Sequence, residues 1–510
     1  MTSDNHKYKK YLVNNPETRW ARINEIKADA MYVDLEAESY PVAGLPLLAN
    51  AKEAYVDGKD THTLIFGATG SKKTRLFCLP MLNMFAKAGE SFVVTDPKGE
   101  LYAKTANFVK KQGYDTVVLN FRDIGAGDSW NPFALPFELY HSKEFGDKDK
   151  GVAMLGDLIS VLNAKQEKTT VDNFWPTMTR SYLMACALML LEYGNKDVAN
   201  LTSLAACCRK ENAILLDEIS RNMDPESIAG MNFMNVFSAA SKTKQSILAV
   251  AYSVLGEFNS QKSLSNMLAH NSIDIRTIGR KKTAVYLIIP DEKTTLHFLA
   301  STFIKQAYEV LVGEAQKEIN GRLPIRVNFV LDEFCNMPKI PDMPAMISAA
   351  RSRNIRYFLV AQSAHQLRGK YGEDAETIKG NCDNWIFLTS KELSLLNEIS
   401  DLCGSVIDSN GKARKLISTS ELQRLNKETG EALVMHARLY PYITNFPDID
   451  DYECFRCELA QKPERIEFEE AESISIRNMY LMLRNGEIDM LFPSPDFKEF
   501  VVKDMSRAWM

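Results

Sequence analysis

The feature that most constrains the fold is a glycine-rich turn between an apolar run and a helical pattern. Residues 67–75 read GATGSKKTR, after the run TLIFG and before the pattern RLFCLPMLNMFAKAG. In a strand-to-helix turn of this kind, backbone N–H groups converge on a phosphate at the positive end of the helix. The turn therefore predicts a nucleotide site at the end of a strand in an α/β domain.

The residue types in this turn have separate roles. Gly67 and Gly70 permit torsions and close approach that a Cβ prevents. Lys73 would reach the β and γ phosphates, and Thr74 would offer its hydroxyl to Mg²⁺. The predicted ATP-binding residues are Gly67, Ala68, Thr69, Gly70, Ser71, Lys72, Lys73, Thr74 and Arg75.

One residue departs from the pattern G-x-x-x-x-G-K-[ST], because Lys72 stands where the second glycine belongs. We expect ordinary helical torsions at this position, with the lysine side chain pointing outward. The expected cost is steric crowding of the phosphate rather than loss of a ligand. The loop is therefore predicted to bind nucleotide, and Lys72→Gly tests whether crowding lowers turnover.

A second segment supplies acids and an amide. The apolar run VNFVL ends at Asp332 and Glu333, which we predict to hold Mg²⁺ and to polarise the attacking water. Gln362 follows the next strand pattern, where an amide would sense the γ-phosphate or align the water. Arg351 is either a surface cation or, in a ring, a group that reaches a neighbour's nucleotide.

Apolar strand patterns alternate with helical patterns along most of the chain, which predicts a mostly parallel α/β sheet. The alternation stops between about 150 and 280, where only helical patterns occur, so an all-α insert would interrupt the sheet after its third strand. The predicted organisation is a lead-in at 1–47 that is polar and mostly irregular, a nucleotide-binding domain at 48–175 and 276–460, the insert at 176–275, and a C-terminal acidic and helical segment at 461–510.

Composition narrows the function classes. The 510 residues carry a formal charge of −5, which argues against a surface that binds nucleic acid all over. Nine scattered cysteines and the lack of an apolar leader indicate a reduced, cytoplasmic setting. No run approaches the ~20 apolar residues needed to span a bilayer. The acidic stretch EFEEAE at 467–472 is typical of a solvated surface.

With these pieces in order, the chain resembles the TraG/TraD-type coupling proteins of type IV secretion and conjugation. These proteins form a branch of the FtsK/HerA-like hexameric ATPases with RecA-like P-loop NTPase cores. Besides the phosphate loop and VLDEF, the resemblance rests on VVTDPKGEL at 93–101, DSWNPF at 128–133, DNFWP at 172–176, SKTKQSIL at 241–248, AARSRNI at 349–355 and AQSAHQLRGKYG at 361–372.

The resemblance implies a helical domain inserted in an ATPase that uses ATP and Mg²⁺, and a ring of six subunits around a channel. It also implies substrates, namely single-stranded DNA bound to a relaxase or protein effectors, which the ring delivers to a secretion channel. Family members usually carry N-terminal transmembrane helices, and this sequence shows none. We therefore expect a cytoplasmic protein that a membrane partner in the secretion system recruits to the inner face of the membrane, and that is monomeric when isolated.

Two other functions stay open on sequence grounds. A soluble FtsK/HerA-like translocase would hydrolyse ATP in response to long duplex DNA. A non-hydrolysing adaptor would bind nucleotide only to order a ring and would hand over cargo through its acidic C-terminal tail.

Overall fold

The computed structural model describes residues 18–167, 174–407 and 412–485. Three sheets are present in these ranges: one of nine strands, one of three and one of two. The strands are β1 (Met31–Asp34), β2 (Leu45–Ala49), β3 (Glu53–Asp57), β4 (Thr63–Phe66), β5 (Ser91–Asp96), β6 (Asp115–Asn120), β7 (Thr283–Ile288), β8 (Val327–Leu331), β9 (Ile355–Ala361), β10 (Asn384–Phe387), β11 (Ser405–Ile407), β12 (Ala413–Lys415), β13 (Glu431–His436) and β14 (Tyr442–Asn445).

The nine-stranded sheet has the order β14-β13-β10-β4-β9-β8-β5-β7-β6. From β10 to β6 every neighbouring pair is parallel, whereas β13 and β14 are antiparallel additions at one side. Each apolar run predicted as a strand of the sheet is one of the parallel strands, so the mostly parallel sheet is confirmed. We call the side where these strands begin the amino edge and the side where they end the carboxyl edge.

Helices cover both faces of the sheet, because successive strand residues are apolar on both sides. Along β5, for example, Phe92 and Val94 pack into one buried cluster while Val93 packs into another. The helices are α1 (Ile23–Asp29), α2 (Leu79–Ala88), α3 (Glu100–Lys111), α4 (Ala134–Tyr140), α5 (Asp147–Glu167), α6 (Phe174–Tyr193), α7 (Leu201–Cys207), α8 (Ala213–Arg221), α9 (Ile228–Phe237), α10 (Ser241–Val254), α11 (Gly256–Ser260), α12 (Lys262–Met267), α13 (His297–Gln316), α14 (Met343–Ala350), α15 (Ala364–Tyr371), α16 (Asp374–Gly380), α17 (Leu393–Leu402), α18 (Thr419–Leu422) and α19 (Ile476–Arg484). No helix in the described ranges is long and apolar enough to cross a membrane.

Helices α4 to α12 lie between β6 and β7, and the described part of this interval contains no strand. The helical region begins at Ala134, upstream of the position 176 at which we predicted the insert to start. The DSWNPF motif explains the earlier start, because Trp130 is buried against Phe303 of α13 and the Asn131 side chain donates to the Ala199 carbonyl oxygen at 2.9 Å. The motif thereby joins the insert to the sheet. Residues 172 and 173 of the DNFWP motif lie outside the described ranges.

The expectation of a mostly irregular lead-in at 1–47 is wrong for its described part. In addition to α1, the chain forms β1 and β2, which pair with β3 in an antiparallel sheet of order β1-β3-β2. Val33, Leu45 and Leu47 are buried and pack with α2. β1 and β2 lack the continuous buried run that marked the equally short β4, because β1 is mostly exposed and β2 contains Pro46. Residues 1–17 lie outside the described ranges.

The chain returns to the insert near its C-terminus through residues 458–476, which we call the strap. The Gly127 N–H donates to the Glu464 carbonyl oxygen at 2.9 Å, and the Asn200 side chain donates to the Glu472 carbonyl oxygen at 2.9 Å. The glutamate side chains of EFEEAE are exposed, as predicted, but the backbone of this stretch is bound to the insert. Helix α19 then packs on α8 through buried Met479. Residues 486–510 lie outside the described ranges.

Candidate nucleotide-binding site

The glycine-rich turn links β4 to a short π-helix, Thr74–Cys78, that continues into α2. Its backbone alternates between left-handed and right-handed torsions, with φ of 78° at Gly70 and 65° at Lys72, and φ of −45° at Lys73. Alternation of this kind turns successive N–H groups toward one point and forms an anion-binding concavity. At Gly67 a Cβ would lie 2.4 Å from the Ser71 hydroxyl oxygen, so only glycine fits there.

The expected torsions at Lys72 are wrong. The residue has φ of 65°, in the left-handed region, because the anion-binding alternation requires that conformation. A side chain in this region costs about 1–2 kcal/mol relative to glycine. The ammonium group contacts a carboxylate oxygen of Glu428 at 3.1 Å. The cost of the missing glycine is therefore backbone strain, and the side chain has a partner in the loop before β13.

The Lys73 side chain is buried inside the turn, with 6% of its surface exposed. Its ammonium group donates to the Gly67 carbonyl oxygen at 2.6 Å and to the Ala68 carbonyl oxygen at 3.4 Å. In the described ranges its one ion pair is with a Glu333 carboxylate oxygen, at 4.0 Å. A buried ammonium with so distant a counter-charge is suited to receive an anion.

Thr74 and Asp332 come together from positions 258 residues apart in the chain. The threonine hydroxyl donates to an Asp332 carboxylate oxygen at 3.0 Å, and Thr95 of the adjacent strand donates to the Asp332 carbonyl oxygen at 2.8 Å. Burial raises the pKa of Asp332 to about 6, and the negative charge of Glu333 adds to the effect. Paired hydroxyl and carboxylate oxygens are the hard ligands that Mg²⁺ prefers.

Glu333 and Gln362 are in direct contact at the carboxyl edge. The Gln362 amide donates to a Glu333 carboxylate oxygen at 2.7 Å, while its own oxygen accepts from the Thr69 hydroxyl at 3.3 Å. Glu333 has φ of 52°, a left-handed conformation that costs about 1–3 kcal/mol and persists only where neighbouring contacts impose it. The structure thus brings five predicted residues into one site, namely Lys73, Thr74, Asp332, Glu333 and Gln362.

Two predicted residues point elsewhere within the chain. Arg75 forms ion pairs with Asp448 and Asp450, and its hydrogen bonds to Asp448 raise its pKa above the ordinary arginine value. Arg351 precedes β9 and lies at the amino edge, where its guanidinium contacts Asp383 at 2.8 Å. Gln362 follows the same strand at the opposite edge, so Arg351 is not part of its own chain's site.

Two further residues lie at this edge: Asp96, which belongs to the DPKGE motif but was given no role in the site, and Asn336, which the sequence analysis missed. Asp96, at the end of β5, accepts the Tyr102 N–H at 2.8 Å near the start of α3, and burial raises its pKa to about 6. Asn336 donates to a Glu333 carboxylate oxygen at 3.4 Å. The strand end before DPKGE pointed to Asp96, but no sequence pattern indicated Asn336.

The fold and the site together define a class. The strand that leads into the phosphate loop, β4, lies beside β9, and β9 lies beside β8, which ends at the paired acids. A parallel sheet with this order, with the loop, the acids and the amide on its carboxyl edge, is the RecA-like P-loop fold.

A family model described as type IV secretory system conjugative DNA transfer matches residues 20–428. The chain belongs to this family of coupling proteins. It is 24% identical to the conjugal transfer protein TraG of Escherichia coli over 98% of this chain and 79% of that protein. It is also 21% identical to VirD4 of Rhizobium radiobacter over 70% of this chain and 50% of that protein.

Solved structures of the plasmid coupling protein TrwB share the fold. The complex of TrwB with a non-hydrolysable ATP analogue has a TM-score of 0.61 and 15% identity, and the match covers 89% of this chain and 97% of that one. The complex of TrwB with ADP and Mg²⁺ has a TM-score of 0.60 and 16% identity, with 89% and 96% covered.

Proposed function

We propose that this chain is an ATP-hydrolysing coupling protein that delivers relaxase-bound single-stranded DNA or protein effectors to a type IV secretion channel. The observation that carries the proposal is the convergence of Lys73, Thr74, Asp332, Glu333 and Gln362 at one edge of the sheet. A protein that binds nucleotide only to order an assembly has no use for the water-directing pair Glu333 and Gln362.

The residues fit a Mg²⁺-bound triphosphate. The alternating torsions at Gly70 and Lys72 direct backbone N–H groups inward, and the buried ammonium of Lys73 supplies the counter-charge. The Thr74 hydroxyl and the Asp332 carboxylate would hold Mg²⁺, which neutralises phosphate charge when it is bound. The relative TrwB has been solved with an ATP analogue and with ADP and Mg²⁺, in agreement with this assignment.

Hydrolysis would use the acid and the amide together. Glu333 would accept a hydrogen bond from the attacking water, and Gln362 would orient that water or sense the γ-phosphate. In the present arrangement the Gln362 amide occupies a Glu333 carboxylate oxygen at 2.7 Å. A carboxylate accepts hydrogen bonds at both of its oxygens, so the other Glu333 oxygen, which the Gln362 amide does not contact, would accept from the water while this contact holds the carboxylate in place.

The active assembly would be a ring of six subunits, as the coupling-protein resemblance implies. Arg351, which is paired with Asp383 at the amino edge, would exchange that partner for a neighbour's triphosphate. A change of ion-pair partner of this kind suits a nucleotide site that is complete only when the neighbouring subunit is bound. A membrane component of the secretion system would recruit the ring to the inner face of the membrane.

Steady-state ATP hydrolysis tests the proposal, with wild type and Lys73→Ala assayed without DNA, with single-stranded DNA and with duplex DNA. We expect single-stranded DNA to stimulate the wild type and Lys73→Ala to lose about 100-fold or more. Lys111→Ala, an exposed lysine at the far end of α3, is the matched control and should behave as wild type.

Other results of the ATPase assay would favour one of the two alternative functions. Equal rates in wild type and Lys73→Ala would indicate a non-hydrolysing adaptor. Stimulation that grows with duplex length and is absent with single strands would indicate a duplex translocase. Gel filtration with and without ATP and DNA tests the ring, and an Arg351→Ala variant that assembles normally but turns over at the wild-type rate would remove the role in trans.

A further inference from the structure

We propose that His297 is a positioning residue for ATP hydrolysis, because it holds the turn that aims the Glu333 carboxylate. The inference rests on the proposed function, in which Glu333 polarises the attacking water. His297 begins α13 and has 4% of its surface exposed. It carried no role in the sequence analysis, and it touches none of the residues assigned there to nucleotide or Mg²⁺.

The His297 ring lies between two backbone carbonyl groups. Its Nε2 atom is 2.7 Å from the Pro290 carbonyl oxygen, and its Nδ1 atom is 3.2 Å from the Asn336 carbonyl oxygen. Both oxygens are acceptors, so each contact is a hydrogen bond only when the ring nitrogen that faces it carries a hydrogen, and the proposal requires that hydrogen on Nδ1. Pro290 follows β7 and Asn336 follows β8, and β5 lies between these strands in the sheet. The ring therefore ties together two strand exits at the carboxyl edge, across the end of the strand between them.

Asn336 connects His297 to Glu333 through two hydrogen bonds. Its N–H donates to the Glu333 carbonyl oxygen at 2.8 Å, and its side-chain amide donates to a Glu333 carboxylate oxygen at 3.4 Å. On the other side, the Glu333 N–H donates to an Asp332 carboxylate oxygen at 3.0 Å. Glu333 has a left-handed backbone, and such a conformation persists only where its surroundings impose it. His297 anchors the one end of this turn that no nucleotide ligand holds.

A second buried histidine provides the comparison. His62 lies at the amino edge, where its Nε2 atom is 2.8 Å from the Ile347 carbonyl oxygen and its Nδ1 atom accepts the Tyr357 N–H at 3.0 Å. The two histidines have similar burial and the same number of backbone contacts. They differ in two respects: His62 faces one acceptor and one donor, whereas both His297 nitrogens face acceptors, and only His297 reaches a residue that touches Glu333.

Three substitutions separate positioning from packing. His297→Asn keeps a donor near the Nδ1 position, facing Asn336, and loses the contact to Pro290. His297→Gln keeps a donor near the Nε2 position, facing Pro290, and loses the contact to Asn336. His297→Phe fills the space and loses both contacts. His62→Phe is the matched control.

The measurements on the full chain are kcat and KM for ATP, the affinity for a fluorescent ATP analogue, and hydrogen exchange of the backbone at 331–340. For His297→Phe and His297→Gln we expect kcat to fall about tenfold or more while KM and affinity stay within about twofold. Exchange at 331–340 should become faster in these two variants without nucleotide. His297→Asn should stay near wild type in both respects, and His62→Phe should lower the melting temperature with little effect on kcat.

Equal kcat and equal exchange in the Asn and Gln variants would overturn the proposal, and so would unchanged exchange in both Phe and Gln variants. If His297→Phe does not fold, the comparison of Asn with Gln still decides the matter. Exchange is measured without turnover, so it separates failure of this inference from failure of the proposed function. If hydrogen exchange at 331–340 is the same in the Asn, Gln and Phe variants, the positioning role of His297 is wrong. If turnover does not depend on Lys73, the proposed ATPase activity is wrong.

Discussion

The two edges of the central sheet treat buried charge differently. At the amino edge, Arg356 is 1% exposed and has several protein partners: it contacts the Glu90 carboxylate at 2.5 Å, the Asn328 side chain at 2.8 Å and the Ala43 carbonyl oxygen at 3.0 Å, although burial lowers its pKa below the ordinary arginine value. At the carboxyl edge, Asp332 has a hydroxyl, one backbone N–H and the field of Lys73 to offset its charge, and burial still raises its pKa to about 6.

The difference shows which edge serves stability and which serves chemistry. At the amino edge, a buried charge with several protein partners holds the N-terminal segment and the loop before β4 against the strand starts. Charge with fewer protein partners lies beside the phosphate loop at the carboxyl edge, at Lys73 and Asp332, where a ligand would supply what is missing.

The largest effect is expected when the amino-edge pairing is broken. Arg356→Met keeps much of the side-chain volume and leaves the buried Glu90 carboxylate with only the more distant Arg326 guanidinium, at 3.5 Å, as a cationic partner. We expect the free energy of unfolding to fall by about 3–5 kcal/mol, as measured by urea denaturation. Arg322→Met, which breaks a part-exposed pair with Asp60, is the control and should cost about 1 kcal/mol or less. Similar losses in both variants would contradict the contrast between the edges.

An intermediate effect is expected from pH, with opposite signs at the two edges. Asp332 has a pKa of about 6 in the folded chain and about 4 when unfolded, so the folded state binds more protons between these values. Wild-type stability therefore falls as pH rises from 4 to 6 on this account. Asp332→Asn stays neutral, so its stability relative to wild type should increase over that range and level off above pH 6, by at most about 2–3 kcal/mol.

Asp57 is the amino-edge counterpart. Burial opposes its ionisation, yet hydrogen bonds from Thr61 and Asn384 hold its pKa below the ordinary value. Its contribution is therefore fully present above about pH 4 and is lost as pH falls further. Asp57→Asn should be less stable than wild type by a constant amount between pH 5 and 7. A constant difference for Asp332→Asn over pH 4 to 6 would show that the carboxyl edge is not charge-strained.

The smallest effect is expected at Lys72. Lys72→Gly relieves about 1–2 kcal/mol of left-handed strain, but glycine adds about 0.5–1 kcal/mol of chain entropy to the unfolded state and the contact with Glu428 is lost. These terms nearly cancel, so stability should change by about 1 kcal/mol or less. Turnover should rise only if the lysine side chain also crowds the phosphate. Glu428→Gln removes the charged partner of Lys72 but keeps the left-handed torsion. It therefore separates the contribution of the Lys72–Glu428 contact from that of the backbone strain.

Much of the fold was predictable, because the parallel strands are apolar on both faces and each ends in a recognisable signal. The loop at Lys73 and the acids at Asp332 each follow such a strand, so their meeting at one edge followed from the parallel arrangement. The conformation at Lys72 was not predictable in this way. The motif G-x-x-x-x-G-K-[ST] has a glycine at this position. The reason is the left-handed torsion that the turn imposes there, which only the structure shows.

The remaining errors have a common physical cause. Strands β1 and β2 are short, and β13 and β14 add to the sheet in the antiparallel direction, so neither pair repeats the strand-helix pattern. His297 and Asn336 meet through backbone carbonyl and amide groups, which every residue possesses and no motif records. Contacts between distant segments of this kind appear only once the chain is folded.

The strap has a mechanical consequence for the insert. The polypeptide enters the insert after β6 and leaves it before β7, and the strap adds a third attachment through the Asn200 contact and helix α19, while the Gly127 contact holds the strap to the segment between β6 and the insert. With only its two chain connections, the insert could rotate about the line that joins them. A third attachment away from that line restricts the rotation. We therefore expect a large rotation of these helices against the sheet to break the Asn200 contact with the strap or the packing of α19 on α8.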